Sequence, residues 1–160
     1  MFFRSPERAS WSRFVAAHRG RAPRRRNDDG RDRVLIYARD AALLRSIEHD
    51  LFGERVSSHV VDSLTSVVAS LTLIPPPWPQ YLILDVTEIS PADVQLLGAI
   101  REAGWPGVVI AIGDASGEMR HTLGTDVVLP RNFGNEVLRN ALKDSTMARQ
   151  PVRTRELSSR

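Results

Sequence analysis

The sequence predicts a doubly wound α/β domain on a five-stranded parallel sheet. Three observations carry this reading. Short apolar runs alternate with segments of helical period from Val34 to Leu142. Two of the runs, Tyr81-Leu82-Ile83-Leu84 and Val108-Val109-Ile110-Ala111-Ile112, are apolar throughout, as strands buried on both faces of a parallel sheet are. Repeated strand–helix units of this kind close through right-handed crossovers.

Val34-Leu35-Ile36-Tyr37 is the first strand. Asp40 caps the next helix, whose Leu43, Leu44, Ile47 and Leu51 share one face. Val56–Val61 reads as a weaker second strand. Leu64, Val67, Val68 and Leu71 mark a second helix. Pro75-Pro76-Pro77-Trp78-Pro79 ends it, because proline lacks the N–H and clashes with the preceding turn. The third strand is Tyr81–Leu84, closed by Asp85. Ser90 and Pro91 suit the N-cap and first position of a third helix, with Leu96, Leu97 and Ile100 inward. Val108–Ile112 and Asp126–Leu129 are the fourth and fifth strands. Only fifteen residues, Asp114–Val128, lie between Gly113 and Leu129, with Gly117 and Gly124 among them. They leave room for about two turns of fourth helix. Asn135–Lys143 is the last helix, with Val137, Leu138, Ala141 and Leu142 on one side.

Composition excludes several classes. The 160 residues are 42% hydrophobic and 26% charged, ordinary for one globular domain. No apolar run approaches the length of a membrane span, and the N-terminus lacks the apolar core of a secretory signal. With no cysteine there is no disulfide scaffold, thiolate zinc site, iron–sulfur cluster or thiol nucleophile. A cytoplasmic location fits. Lys143 is the only lysine beside 21 arginines, which reads as the coding bias of a GC-rich, bacterial genome.

The net charge of +3 conceals three parts. Residues 1–32 read as a basic flexible arm, residues 33–144 as the domain, and residues 145–160 as a basic disordered tail. Ten arginines against four acids give residues 1–33 a charge of +6, while four arginines against Glu156 give residues 145–160 +3. Residues 34–144 hold eight basic and fourteen acidic side chains, for −6. His18, His49, His59 and His121 have no metal-ligand spacing, and neither a phosphate loop nor a nucleophile-elbow serine occurs.

Ligands in doubly wound folds sit beyond the carboxyl ends of the strands. Ala38, Arg39, Asp40, Asp85, Val86, Thr87, Gly113, Asp114, Leu129 and Pro130 fall there. By position alone, Asp85 can be a nucleophile, a metal ligand or a helix cap.

The element order, with Asp85 closing Tyr81–Leu84, resembles the receiver domain of bacterial response regulators over about residues 33–144. Val34–Leu44, Leu84-Asp85 with Gln95-Leu96-Leu97, and Val127-Val128-Leu129-Pro130 with Phe133 carry the likeness. It implies a flavodoxin-like fold, from which this sequence departs by a shortened fourth helix, and an aspartate that takes a phosphoryl group at Asp85. It also implies an acidic pair for magnesium after the first strand, a hydroxyl after the fourth and a lysine after the fifth. Ala38 and Arg39 stand at the acidic-pair positions, Gly113 at the hydroxyl and Leu129 at the lysine, with Pro130 retained. Asp40 lies one place beyond the pair, where a helix cap is its expected role. The resemblance therefore implies a degenerate pocket that works without magnesium or any other cofactor, with Arg39 a candidate to pair with Asp85.

The expected function follows. The chain is a stand-alone pseudo-receiver, not an enzyme, acting through a protein partner in two-component or chemosensory signalling. A histidine kinase that still phosphorylates Asp85 is the alternative. An anti-sigma-antagonist-type domain ranks behind, and antiparallel first strands would favour it. Trp11, Phe14, Arg24, Arg25 and Arg26 mark the arm as a possible binder of nucleic acid, an anionic membrane or an acidic protein. Trp78 and Trp105, at the amino end of the sheet, either cover it or mark a partner surface.

Overall fold

The structure is a computed structural model that describes residues 30–72 and 78–148. Five strands, β1 (Asp32–Tyr37), β2 (Val56–Val61), β3 (Tyr81–Asp85), β4 (Val108–Ile112) and β5 (Val127–Leu129), alternate with five helices. The helices are α1 (Ala41–Leu51), α2 (Leu64–Thr72), α3 (Pro91–Glu102), α4 (Gly117–Leu123) and α5 (Val137–Ala148). The strands form one sheet in the order β2-β1-β3-β4-β5, and every pairing is parallel. No antiparallel strand is present among them, so the anti-sigma-antagonist alternative falls.

All five residues of β3 and all five of β4 are buried, because helices cover both faces of the sheet. Alternate β1 side chains point to opposite faces. Leu35 and Tyr37 pack with Val67, Leu71, Val94, Leu97 and Leu123 of α2, α3 and α4. Val34 and Ile36 pack with Leu43, Ile47, Leu138 and Leu142 of α1 and α5. At the edge, four successive residues of β2, Ser57–Val60, are exposed, which explains its weaker sequence signal.

Local chemistry sets the helix ends. The Asp40 carboxylate accepts the Ala42 and Leu43 N–H groups at 2.8 and 2.9 Å. Ser90 and Asp93 form a reciprocal capping box before Pro91. Ser116 caps α4 and Gly124 closes it in the left-handed region, so this helix has seven residues.

Three expectations need correction. Leu96 is 46% exposed; Val94, Leu97, Gly98 and Ile100 form the buried stripe of α3 instead. Val137 is also exposed, because the turn ahead of it places Leu138 and Leu142 on the sheet. The last helix runs to Ala148, past the 144 boundary. Its Ser145 and Thr146 hydroxyls fold back onto the Ala141 and Leu142 carbonyls, so polar residues that resemble a tail continue the helix. At the other boundary β1 begins at Asp32. The arm residues Trp11, Phe14, Arg24, Arg25 and Arg26 lie outside the described residues.

Of the two tryptophans among the described residues, Trp105 is buried and donates its indole N–H to the Pro79 carbonyl at 3.1 Å. Arg101 stacks over its ring at 5.5 Å. Trp78 is partly buried against the same core. Trp105 therefore covers the bottom of the sheet.

Candidate functional site

The chain reverses its direction across the sheet between β1 and β3, which are neighbours although β2 lies between them in sequence. Such a switch point leaves a crevice at the carboxyl ends of the two strands. Asp85 closes β3 there, level with Ile112 of β4, which is in turn level with Leu129 of β5. Asp85 is one of two buried carboxylates among the described residues, at 7% exposure. A charge so placed needs partners.

Arg131 supplies them. It stands in the turn after β5, and its side chain crosses the end of β4 to reach the crevice. One terminal nitrogen donates to the Thr87 hydroxyl at 2.7 Å and lies 3.4 and 3.3 Å from the two Asp85 oxygens. The other donates to Asp40 Oδ2 at 2.9 Å. A planar guanidinium presents several donors in a fixed fork, so it can hold three groups that an ammonium could not span. The Thr87 N–H adds a bond to Asp85 Oδ1 at 3.1 Å.

Gly113 lies beside the crossing. It follows β4 with φ +113°, and its N–H donates to the Leu129 carbonyl at 2.9 Å. A Cβ there would lie 3.3 Å from the Thr87 hydroxyl, 3.4 Å from Val86 and 3.9 Å from Arg131 Cγ. Glycine fits both the conformation and the space.

Asp40 does two jobs with one carboxylate, capping α1 and binding Arg131. The α1 backbone N–H groups of Leu43 and Ala42, and then the Arg131 cation, hold its pKa below the ordinary 3.8.

The expected pocket residues come together only in part. Asp85, Asp40, Thr87 and Gly113 meet as expected. Ala38 is buried beside them with no polar group to offer. Leu129 faces the core with Leu138 and Leu142, and Pro130 is exposed. Arg39 is not the partner of Asp85. It turns outward to Glu88 at 3.6 Å, both side chains well exposed. The cation of the crevice is Arg131, two residues past the position compared with the family's lysine.

The donor set does not fit magnesium with Arg131 seated. Magnesium takes near-octahedral oxygen ligands, whereas all four oxygens of Asp40 and Asp85 are engaged by N–H donors. Among the described residues no group of three or more His, Cys, Asp or Glu could hold a metal ion.

The fold is that of response-regulator receiver domains. The chain is similar to a CheY-like response regulator receiver domain protein from Methanospirillum hungatei, at 18% identity and a TM-score of 0.61, over 74% of this chain and 95% of that one. A response regulator receiver protein from Burkholderia phymatum is similar at 24% identity and TM-score 0.56, over 74% and 96%. A pilus assembly-related protein from Burkholderia pseudomallei is similar at 18% identity and TM-score 0.59, over 76% and 93%. No family model matches the sequence, and no curated relative does.

Proposed function

We propose that this protein is a receiver-type signalling module that acts by protein–protein contact, without magnesium-dependent phosphorylation of Asp85. One observation carries the reading: the Arg131 guanidinium bridges Asp85, Asp40 and Thr87. A receiving aspartate needs cations and hydrogen-bond donors to stabilise the charge of an incoming phosphoryl group. Here a side chain of the protein already lies against both carboxylates and balances part of their charge. On this reading the module is a binding protein of the bacterial cytoplasm, not an enzyme, and its partner belongs to a two-component or chemosensory pathway.

The test is a magnesium titration, with and without beryllofluoride, followed by amide NMR on the full chain. The expected result is no clustered shift at Asp40, Asp85, Thr87 or Gly113. Saturable shifts at those amides would overturn the reading.

A second reading has its own support. Thr87 and Arg131 bring a hydroxyl and a cation to Asp85 from positions other than Gly113 and Leu129. A histidine kinase could then transfer a phosphoryl group to Asp85 Oδ, the histidine nitrogen leaving. Incubation with acetyl phosphate and magnesium would give a mass adduct that disappears in Asp85→Asn. An unmodified protein would sink this alternative.

A further inference from the structure

The geometry points to an interaction surface at the β2 edge of the sheet, where a second copy of this chain adds its own β2 in antiparallel pairing. It does not rest on the function proposed for the Asp85 crevice. The sheet has two edges, β2 and β5. An open edge invites another strand, and edges are usually blunted by shortness, charge, proline or a bulge. Strand β5 has three residues. Strand β2 has six, Val-Ser-Ser-His-Val-Val, with no proline, carboxylate, lysine or arginine among them. It pairs with β1 through six successive positions without a bulge.

The backbone register shows which groups of β2 the sheet leaves unused. Asp32 is level with Val56, and its N–H donates to the Arg55 carbonyl at 3.2 Å. In a parallel ladder, Asp32, Val34 and Ile36 therefore bond to Arg55, Ser57, His59 and Val61. Arg33, which alternates with them, turns its carbonyl the other way, to the Gln80 N–H at 2.9 Å. The N–H and C=O groups of Val56, Ser58 and Val60 thus point outward, with no strand beyond them among the described residues. The side chains leave this edge open. Val61 packs with the cluster under α2 and Val56 with the cluster under α1. By alternation, Ser57 and His59 lie on the α2 side and Ser58 and Val60 on the α1 side, yet all four are exposed. Neither helix layer reaches over the strand, so neither blocks an approaching one.

A second copy is the occupant these groups fit. A two-fold axis through Ser58, perpendicular to the sheet, sets Ser58 opposite Ser58 and Val56 opposite Val60. All three outward residues then meet outward residues, and each pair exchanges both N–H and C=O. Val60, 39% exposed, gains a valine opposite it on the same face. The ends agree in charge. Antiparallel pairing brings exposed Arg55 of one copy beside exposed Asp62 of the other, whereas a parallel copy would set like charges side by side. Glu54, next to Arg55, is already balanced by Arg139 at 3.0 Å and Lys143 at 3.4 Å. The contact is small for a permanent dimer, so the pair exchanges with monomer.

The experiment is sedimentation equilibrium of the full chain over a concentration series. Wild type is expected to pass from monomer to dimer as concentration rises. Ser58→Pro removes the outward donor of each copy at the two-fold axis and spares the bonds to β1. It should weaken association about thirtyfold, the worth of two hydrogen bonds. Ser58→Glu and Ser58→Lys each set like charges opposite one another. Each should stay monomeric alone at concentrations where wild type dimerises, and an equal mixture of the two should dimerise. Circular dichroism should show all three variants folded. A wild type that is monomeric at every concentration overturns the proposal. So does a dimer that all three variants leave unchanged, which would put the contact on another face, and so does a mixture that stays monomeric. A Ser58 amide protected from hydrogen exchange in a monomeric sample would overturn it in favour of another segment of this chain on the edge.

Discussion

At the scale of single residues, Arg131 and Gly113 are neighbours. The arginine passes beside Gly113, whose φ of +113° and 3.3 Å approach to the Thr87 hydroxyl suit glycine. Arg131→Ala should destabilise the fold by about 1–3 kcal/mol in urea unfolding, since it strips the charged partner from a buried carboxylate. Arg131→Lys should recover only part of this, because an ammonium cannot hold three groups in one plane. Gly113→Ser, which restores a hydroxyl where the resemblance expects one, should cost about 1–3 kcal/mol through backbone strain alone. It should also move the Thr87 and Arg131 resonances. The lowered pKa of Asp40 gives a pH signature. Its stabilisation is complete above the ordinary value of 3.8 and is lost as pH falls through the lower folded value. Asp40→Asn keeps a capping oxygen, so unfolding midpoints between about pH 2 and 5 should lose part of their slope while the helix remains. Asp85 and Asp40 were legible in the sequence as the end of a strand and the start of a helix. Arg131 was not, because comparing positions one by one asks what stands at residue 129. A long side chain two residues later can serve the same space; the signal was an arginine directly after Leu129-Pro130.

At the scale of elements, α5 begins with help from α1. Asp50, 2% exposed, accepts the Glu136 N–H at 2.9 Å and the Leu138 N–H at 3.1 Å. A carboxylate in the last turn of one helix thus caps the first turn of another. Arg139 returns the contact through the Asp50 and Phe52 carbonyls. Asp50→Ala should cost about 2–4 kcal/mol, because two N–H groups lose their acceptor in a dry setting. Hydrogen exchange should show the loss first at Leu138. Glu136 holds φ +68° to make this junction, so Glu136→Gly should raise stability by up to about 1 kcal/mol in the same unfolding assay. The strands were readable because β3 and β4 are apolar without interruption, and the short α4 because two glycines bound it. The cap on α5 was hidden, since its two halves stand 86 and 88 residues apart. The length of α5 was hidden for a different reason. Ser145 and Thr146 look like loop residues until their hydroxyls are seen bonded one turn back.

At the scale of the whole molecule, sequence periodicity was enough for the sheet, its parallel strands and the side on which Asp85 lies. It could not show that both arginine-rich stretches join the fold at the end opposite Asp85, because that is a property of the assembled topology. The described body, residues 30–148, holds ten basic and fifteen acidic side chains, whereas the full chain is +3. A protein of residues 30–148 should therefore bind an anion exchanger at pH 7 that the full chain passes through. The charge also has a direction. Asp40, Asp62, Glu88, Asp93, Asp114 and Glu118 follow strands or open helices at the carboxyl end of the sheet, while the arginine-rich stretches join at the other end. Both joints lie away from the crevice, so a tag fused at residue 30 or residue 148 leaves the Asp85 end of the sheet uncovered.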